Sequence, residues 1–492
     1  MTDRGSPYTD PDTSTLELPL ASETGRRARQ KQLQTQAGGL LRRLVHLLDF
    51  RGAPTPVRTG ELGALEQLCR EALSQRNKIA GLVAIAKVGD AYNRLDEAGR
   101  DAFFHRLLIN FAPNPAEIQS ALQAWNATQG SRIPELLTLT QSLTSPRVHL
   151  FQAFNTIPNG MKFLVDLRAH LESRLEGMPD FAMMEYELRS LLETFFNIGF
   201  LKLERINWSS PASLLEKLMT YEAVHRIANW RDLKHRLLTD RACYAFLHPA
   251  MPDEPVIFVE VALVKGMADN IQRLLDPDAP DLNPGLADTA VFYSISNAQK
   301  GLRGIHFGNL LIKQVTMRLR AEWPNLKTFV TLSPLPRFRQ DFLDPALRDA
   351  SISRYFTKDE RQVILRLTGD GGEDASPEAL ATAVHTLLDM VNWHQRTEIT
   401  HALRHGLMRA VKSYLTSPNA KGQVRCPVGH FHASNGAALA RINWLADTSA
   451  KGFELSAGLM VNYLYDLTRF EAQQEDYQHS GLLHLEKAVR DL

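Results

Sequence analysis

The sequence predicts an α+β multidomain protein, with an all-α helical bundle followed by an α/β part built on a sheet. Three observations predict it. The chain has 492 residues, too many for one ordinary domain. Up to about residue 200, apolar residues recur at helical spacing without any fixed-period repeat. After Asp240, β-branched and aromatic runs are separated by glycine, proline and aspartate loops.

Composition narrows the function classes. Hydrophobic residues make up 44% and charged residues 23%, as in ordinary globular chains. The 56 Lys+Arg nearly cancel the 55 Asp+Glu, so no basic excess points to nucleic acid. Cys69, Cys243 and Cys426 form no CxxC spacing. They suit a reducing compartment and read as small core residues. The longest apolar run, "VIFVEVALV", is half the length of a membrane span and carries Glu260, so no span is expected.

The elements follow in order. Residues 1–23 are polar and aspartate-rich, and read as a disordered lead-in rather than a targeting peptide. Residues 24–205 are the helical domain. In "ALEQLCREAL", Ala64, Leu65, Leu68, Cys69, Ala72 and Leu73 share one stripe. "PAEIQSALQAWNA" starts at Pro115, suited to a first turn. The stretch from Met178 through "LKLERINW" continues the helical pattern, and Ser209 to Leu238 reads as a helical bridge. This half packs or oligomerises and carries no evident chemistry.

Residues 206–492 form the second domain. "RACYAFLHP" and "PVIFVEVALVKG" read as strands, the latter buried on both faces. Glu260, midway along it, reads as a paired structural carboxylate. "AVFYSISNAQ" is a strand, "KGLRGIHFGN" a glycine loop, and "LLIKQVTMRLRAEW" a helix with Leu311, Val315 and Leu319 on one face. "LKTFVTLSPLP" is the next strand. In "GHFHASNGAALARINW" the two histidines read as an extended segment, His430 and His432 on one side and Phe431 on the other. Asn435 then reads as the cap of a following helix, and "GLMVNYLYDL" as the last strand.

Two stretches suggest chemistry. A glycine loop between a strand and a helix offers positive φ and free N–H groups, which together make an anion cradle. It is neither a P-loop nor GxGxxG, and a plain tight connector fits the spacing equally well. Arg303 stands at its mouth. Ser333 ends the following strand, where prolines 334 and 336 stop it; it can be a catalytic hydroxyl or a turn cap. His430 and His432 lack a convincing third ligand, so a metal pair is disfavoured. No GxSxG elbow occurs.

The strand–glycine loop–helix–strand order resembles the pyrophosphate loop of the GNAT acetyltransferase superfamily. "FYSISNAQKGLRGIHFGNLLIKQV", "TLSPLPRF", "GHFHASNGAALARINWLAD" and "GLMVNYLYDL" together resemble malonyl-CoA decarboxylase, over about residues 60 to 470. The resemblance implies a helical oligomerisation domain and a GNAT-like catalytic domain with a central mixed sheet. It implies conversion of malonyl-CoA to acetyl-CoA and CO2 with no cofactor and no metal. It implies His432 as proton donor and Ser333 as its hydrogen-bonding dyad partner. The CoA loop would be Arg303, Gly304, Ile305, His306, Phe307, Gly308 and Asn309, although His306 replaces an acidic residue of relatives. Asn435 and Tyr465 are pocket candidates. A homo-oligomer, tetramer or dimer, and a cytoplasmic bacterial-type member complete the expectation, with no nucleic-acid or membrane partner. A GNAT-type acyltransferase and a non-catalytic acyl-CoA-binding regulator stand as alternatives.

Overall fold

Period-two and period-3.6 patterning segregate along this chain, and the structure follows that division with three exceptions. The computed structural model describes residues 59–76, 78–280, 282–305, 308–369 and 376–492. The expected lead-in at 1–23, with His306 and Phe307, lies outside the described residues. Contacts divide the chain into two units: residues up to 109 with 156–158, and 110–155 with 159–492. Residues of the expected helical domain fall in both.

The first unit packs the helices Thr59–Ser74, Ile79–Arg94 and Glu97–Asn110. Cys69, Ile85, Val88, Phe104 and Leu107 are buried in it. Cys69 and Leu65 lie on the stripe that the spacing predicted.

The second unit is built on an eight-stranded sheet. Its strands are β1 (Lys202–Ile206), β2 (Arg241–His248), β3 (Met251–Val264), β4 (Thr289–Asn297), β5 (Thr328–Thr331), β6 (Ser333–Pro334), β7 (Ala438–Asn443) and β8 (Met460–Leu464). The order is β1-β2-β3-β4-β5-β8-β6, with β7 on β8. β4 and β5 run parallel and the other pairs antiparallel, so the sheet is mixed as expected. A parallel pair needs a crossover, and the Gly308–Glu322 helix supplies it. Leu311, Val315 and Leu319 are fully buried on that helix. Val256 to Leu263 are buried throughout, the signature of a strand covered on both faces. Glu260 among them meets Arg236 at 2.9 Å. Burial pushes its carboxyl up and Arg236 opposes this.

The exceptions have local causes. Lys202–Ile206 is an edge strand rather than helix, pairing with β2 over its whole length. The helix before it stops at Phe195, and Asn197 caps a short turn. The bridge splits into two helices, Ala212–Tyr221 and Trp230–His235. Between them Glu222 accepts the backbone N–H groups of Val224 and His225, and Asn229 caps the second helix. The third exception concerns the histidines. Pro427–Ser434 is a helix with Pro427 in its first turn. Asn435 ends this helix rather than starting the next. Gly436, at φ +75, turns the chain into β7, where a helix was expected. Ala437 to Ala440 are all buried, so the "AALA" run serves a strand.

Candidate active site

β4 and β5 pair only over Thr289–Phe292 and Thr328–Thr331. Beyond that point Leu332 still donates to the Phe292 carbonyl, but the strands then part. A cavity of about 290 Å³ opens in the gap. Phe292, Ile295 and Asn297 line it from β4, Ser333 and Pro334 from β6, and Val428, Phe431 and His432 from the helix.

A helix turns about 100° per residue, so residues two apart diverge by about 200°. The two histidines therefore separate. His430 points to the Tyr477 hydroxyl at 2.7 Å, and His432 enters the cavity wall. His432 Nε2 lies 3.1 Å from Ser333 Oγ, and its Nδ1 lies 2.7 Å from the Tyr465 hydroxyl. The imidazole stacks on Tyr463, with ring centroids 4.5 Å apart. Both dyad members are buried, His432 at 2% exposure and Ser333 at 5%.

Hydrogen-bond direction assigns the protons. Burial raises the Tyr465 hydroxyl well above its ordinary range, so it keeps its proton and donates to Nδ1. Ser333 Oγ donates to Thr331 Oγ1 at 2.8 Å. Ser333 is therefore free to accept from the Nε2–H of a neutral imidazole. A relay follows in one direction, Tyr465 to His432 to Ser333 to Thr331. Burial pushes the His432 pKa down to about 3.

The structure thus brings together Ser333, His432 and Tyr465. Neither of the two pocket candidates, Asn435 and Tyr465, lines the cavity beside Ser333 and His432. Both line a separate small one, Tyr465 reaching the far side of the imidazole, while Asn435 Nδ2 donates to the Phe431 carbonyl. Of the loop, Arg303 projects a largely exposed side chain, 3.9 Å from Glu172. Gly304 takes φ +76 and Ile305 is buried. Gly308 and Asn309 begin the Gly308–Glu322 helix. Thr331 was missed by sequence reasoning. It stands two residues before Ser333 in an extended stretch, hence on the same side, and that period was the available signal. Among the described residues no group of three or more His, Cys, Asp or Glu is arranged to hold a metal ion.

Comparison with known proteins bears on this arrangement. Residues 199–492 match the family model of the malonyl-CoA decarboxylase C-terminal domain. The chain belongs to the malonyl-CoA decarboxylase family. Residues 111–196 match that family's N-terminal domain. Curated relatives include the mitochondrial malonyl-CoA decarboxylase of Anser anser anser. It is 39% identical over 328 residues, covering 65% of this chain and 63% of that one. The Rattus norvegicus protein of the same name is 37% identical over 327 residues, covering 65% of each chain. The match therefore spans somewhat less than two thirds of these relatives' length. Among solved structures, malonyl-CoA decarboxylase from Rhodopseudomonas palustris superposes with a TM-score of 0.76 at 36% identity. The match covers 88% of this chain and 99% of that one. The Agrobacterium vitis malonyl-CoA decarboxylase gives 0.75 at 36% identity, covering 87% and 99%.

Proposed function

We propose that this protein decarboxylates malonyl-CoA to acetyl-CoA and CO2 through a thioester enolate. The observation that carries the proposal is the buried Ser333–His432 contact, 3.1 Å long, in the wall of the cavity between the parted strands. The bond from the carboxylate carbon to the α-carbon breaks, and its electron pair moves onto the thioester oxygen. The thioester is itself the electron sink, so the chemistry asks for no cofactor. Val224, Ile257, Phe292, Ile295, Val428 and Phe431 give the cavity an apolar wall. Such a wall favours neutral, apolar CO2 over the anion that precedes it. Once substrate is bound, the Ser333 hydroxyl turns its proton from Thr331 to the malonyl group, and the His432 Nε2–H turns from Ser333 to the developing enolate.

His432 Nε2–H then gives its proton to the α-carbon, and Tyr465 supports the charge left on the ring through Nδ1. Solvent restores the proton after product leaves. A neutral imidazole can donate a hydrogen bond to the enolate without being a cation. Giving up Nε2–H leaves an imidazolate, whose negative charge the Tyr465 hydroxyl stabilises at Nδ1. Arg303 and the backbone about Gly304 take the CoA phosphates.

Self-association through the helical part, as a tetramer or dimer, belongs to the same proposal. The Ile133–Leu143 helix buries none of its side chains and exposes Ile133, Leu136, Leu137 and Leu143. A cytoplasmic location is also proposed; it is supported by Cys69, Cys243 and Cys426, all free and buried. No helix of the described residues is long and apolar enough to cross a membrane.

The test is purified protein with malonyl-CoA and a chelator, following CO2 and acetyl-CoA together. Equal amounts of both are expected. His432→Asn is expected to lower kcat by about 10²–10⁴-fold, the usual range for a positioned proton donor. Ser333→Ala is expected to lower it as well. Turnover unchanged in both variants would remove the dyad from the reaction. Tight binding without CO2 would point to a regulator, and acyl transfer to an amine to a transferase.

A further inference from the structure

The glycine loop is anchored from behind by a side chain of the preceding helices. Arg168 lies on the Gly160–Arg174 helix and is 2% exposed. Its Nη1 donates to the carbonyl of Gly301 at 2.7 Å and to that of Arg303 at 2.8 Å. Nε and Nη2 donate to Glu185 Oε1 at 3.0 and 2.7 Å, from the Ala182–Phe195 helix. The Gly160–Arg174 helix also touches the loop backbone directly: a Cβ on Gly301 would stand 1.8 Å from the Val165 carbonyl oxygen. Only glycine allows that approach.

Burying a guanidinium is costly unless its donors are used. Here three of its nitrogens are used, and Nη1 spends both of its bonds on loop carbonyls. The peptide unit is planar and trans, so its C=O and N–H point opposite ways. Holding the Arg303 carbonyl toward Arg168 turns the Gly304 N–H to the other side, where Arg303 and Gly304 are exposed.

We propose that Arg168, oriented by Glu185, is a positioning residue for nucleotide phosphates: it fixes the Gly301–Arg303 backbone so that Arg303 and the Gly304 N–H are preset for them. This rests on the reading of the loop as the CoA site. Positioning here means lower cost of ordering the loop on binding, hence affinity for the phosphate-bearing end of the substrate and not for its acyl end. Arg168 falls within the segment matched by the N-terminal family model, and the loop within the C-terminal one. The clamp therefore makes the helical segment a participant in substrate binding.

The experiment compares malonyl-CoA with malonyl-pantetheine, which keeps the thioester and lacks the nucleotide phosphates. Arg168→Met is expected to raise KM for malonyl-CoA by about 10–100-fold, the size of two lost charge-assisted bonds. Its kcat should stay within about two-fold, and KM for malonyl-pantetheine should not move. Arg168→Lys, which keeps charge but loses the fork, and Glu185→Gln should give smaller rises of the same kind. These two also serve if Arg168→Met does not fold. Equal KM changes for both substrates, or a fall in kcat alone, would overturn the clamp and leave a structural residue. Calorimetric titration with CoA separates the two readings. If the wild type forms no CO2 yet binds CoA more tightly than Arg168→Lys, the clamp stands and the decarboxylase reading fails. Equal CoA affinity in wild type and all three variants would reject the clamp.

Discussion

His432 is held neutral by burial, and this fixes what pH does to it. Its folded pKa of about 3 lies below the ordinary value of 6.5. Between those values the unfolded chain binds the proton and the folded one does not. The stability this residue contributes is thus complete above pH 6.5 and is lost as pH falls toward 3. Urea midpoints at pH 7.5, 5.5 and 4.5 should fall more for wild type than for His432→Asn. The kcat/KM profile of the free enzyme should show no limb near 6.5 from this histidine; a limb there that disappears in His432→Asn would contradict the neutral reading. Tyr465→Phe removes the donor to Nδ1 and leaves the ring packed. It should lower kcat by about 10-fold with KM unchanged, the value of one buried hydrogen bond. Ser333 and His432 were named as a pair only by the family resemblance, and Tyr465 only as a pocket candidate. Their convergence was not legible: Ser333 and His432 are 99 positions apart, and no local pattern reports such a contact.

Helices and strands here were decided by more than period. The "GHFH" stretch looks extended if Phe431 is taken as the inward residue of an alternation. Pro427 at the first turn and the Cys426 cap make it a helix. Gly436 then matters more than the alternation, because its φ of +75 reverses the chain, and a Cβ there would stand 2.0 Å from the Phe470 carbonyl oxygen. Gly436→Ala should cost about 1–3 kcal/mol from backbone strain, with the clash added. Thermal unfolding beside the wild type measures this, and activity should fall with it because His432 precedes the turn by four residues. β1 was unreadable for a related reason. Of its five side chains only Ile206 is buried, so no alternation marks it, and pairing with β2 makes it a strand. β3, buried on both faces, was readable because every neighbour demands the same apolar chemistry.

At the scale of the molecule, the helical part carries two further features that composition does not separate. One is burial of a charged network, where Arg147 and Ser145 both bond Glu187. Arg147→Met leaves the Glu187 carboxylate buried with fewer partners. It should cost about 3–5 kcal/mol, visible as a lower denaturant midpoint. The other is presentation of an apolar face on the Ile133–Leu143 helix, with Leu137 58% exposed. Leu136→Glu with Leu137→Glu should shift light-scattering mass to a smaller species without lowering the denaturant midpoint. Unchanged mass would place self-association on another face.

The sequence by itself determined the helical part, the buried strands and the crossover helix with its glycine loop, while the Ser333–His432 pair was offered only by the family resemblance. These elements depend on local periodicity, on glycine and proline backbone limits, and on motif order, all of which act within a few residues. The tertiary structure alone decided that His432 sits on a helix, that Tyr465 and Thr331 complete its relay, and that Arg168 reaches Gly301, 133 positions away. Those outcomes depend on which surfaces exclude water together and which buried donors find acceptors, and such conditions are satisfied only when the whole chain has packed.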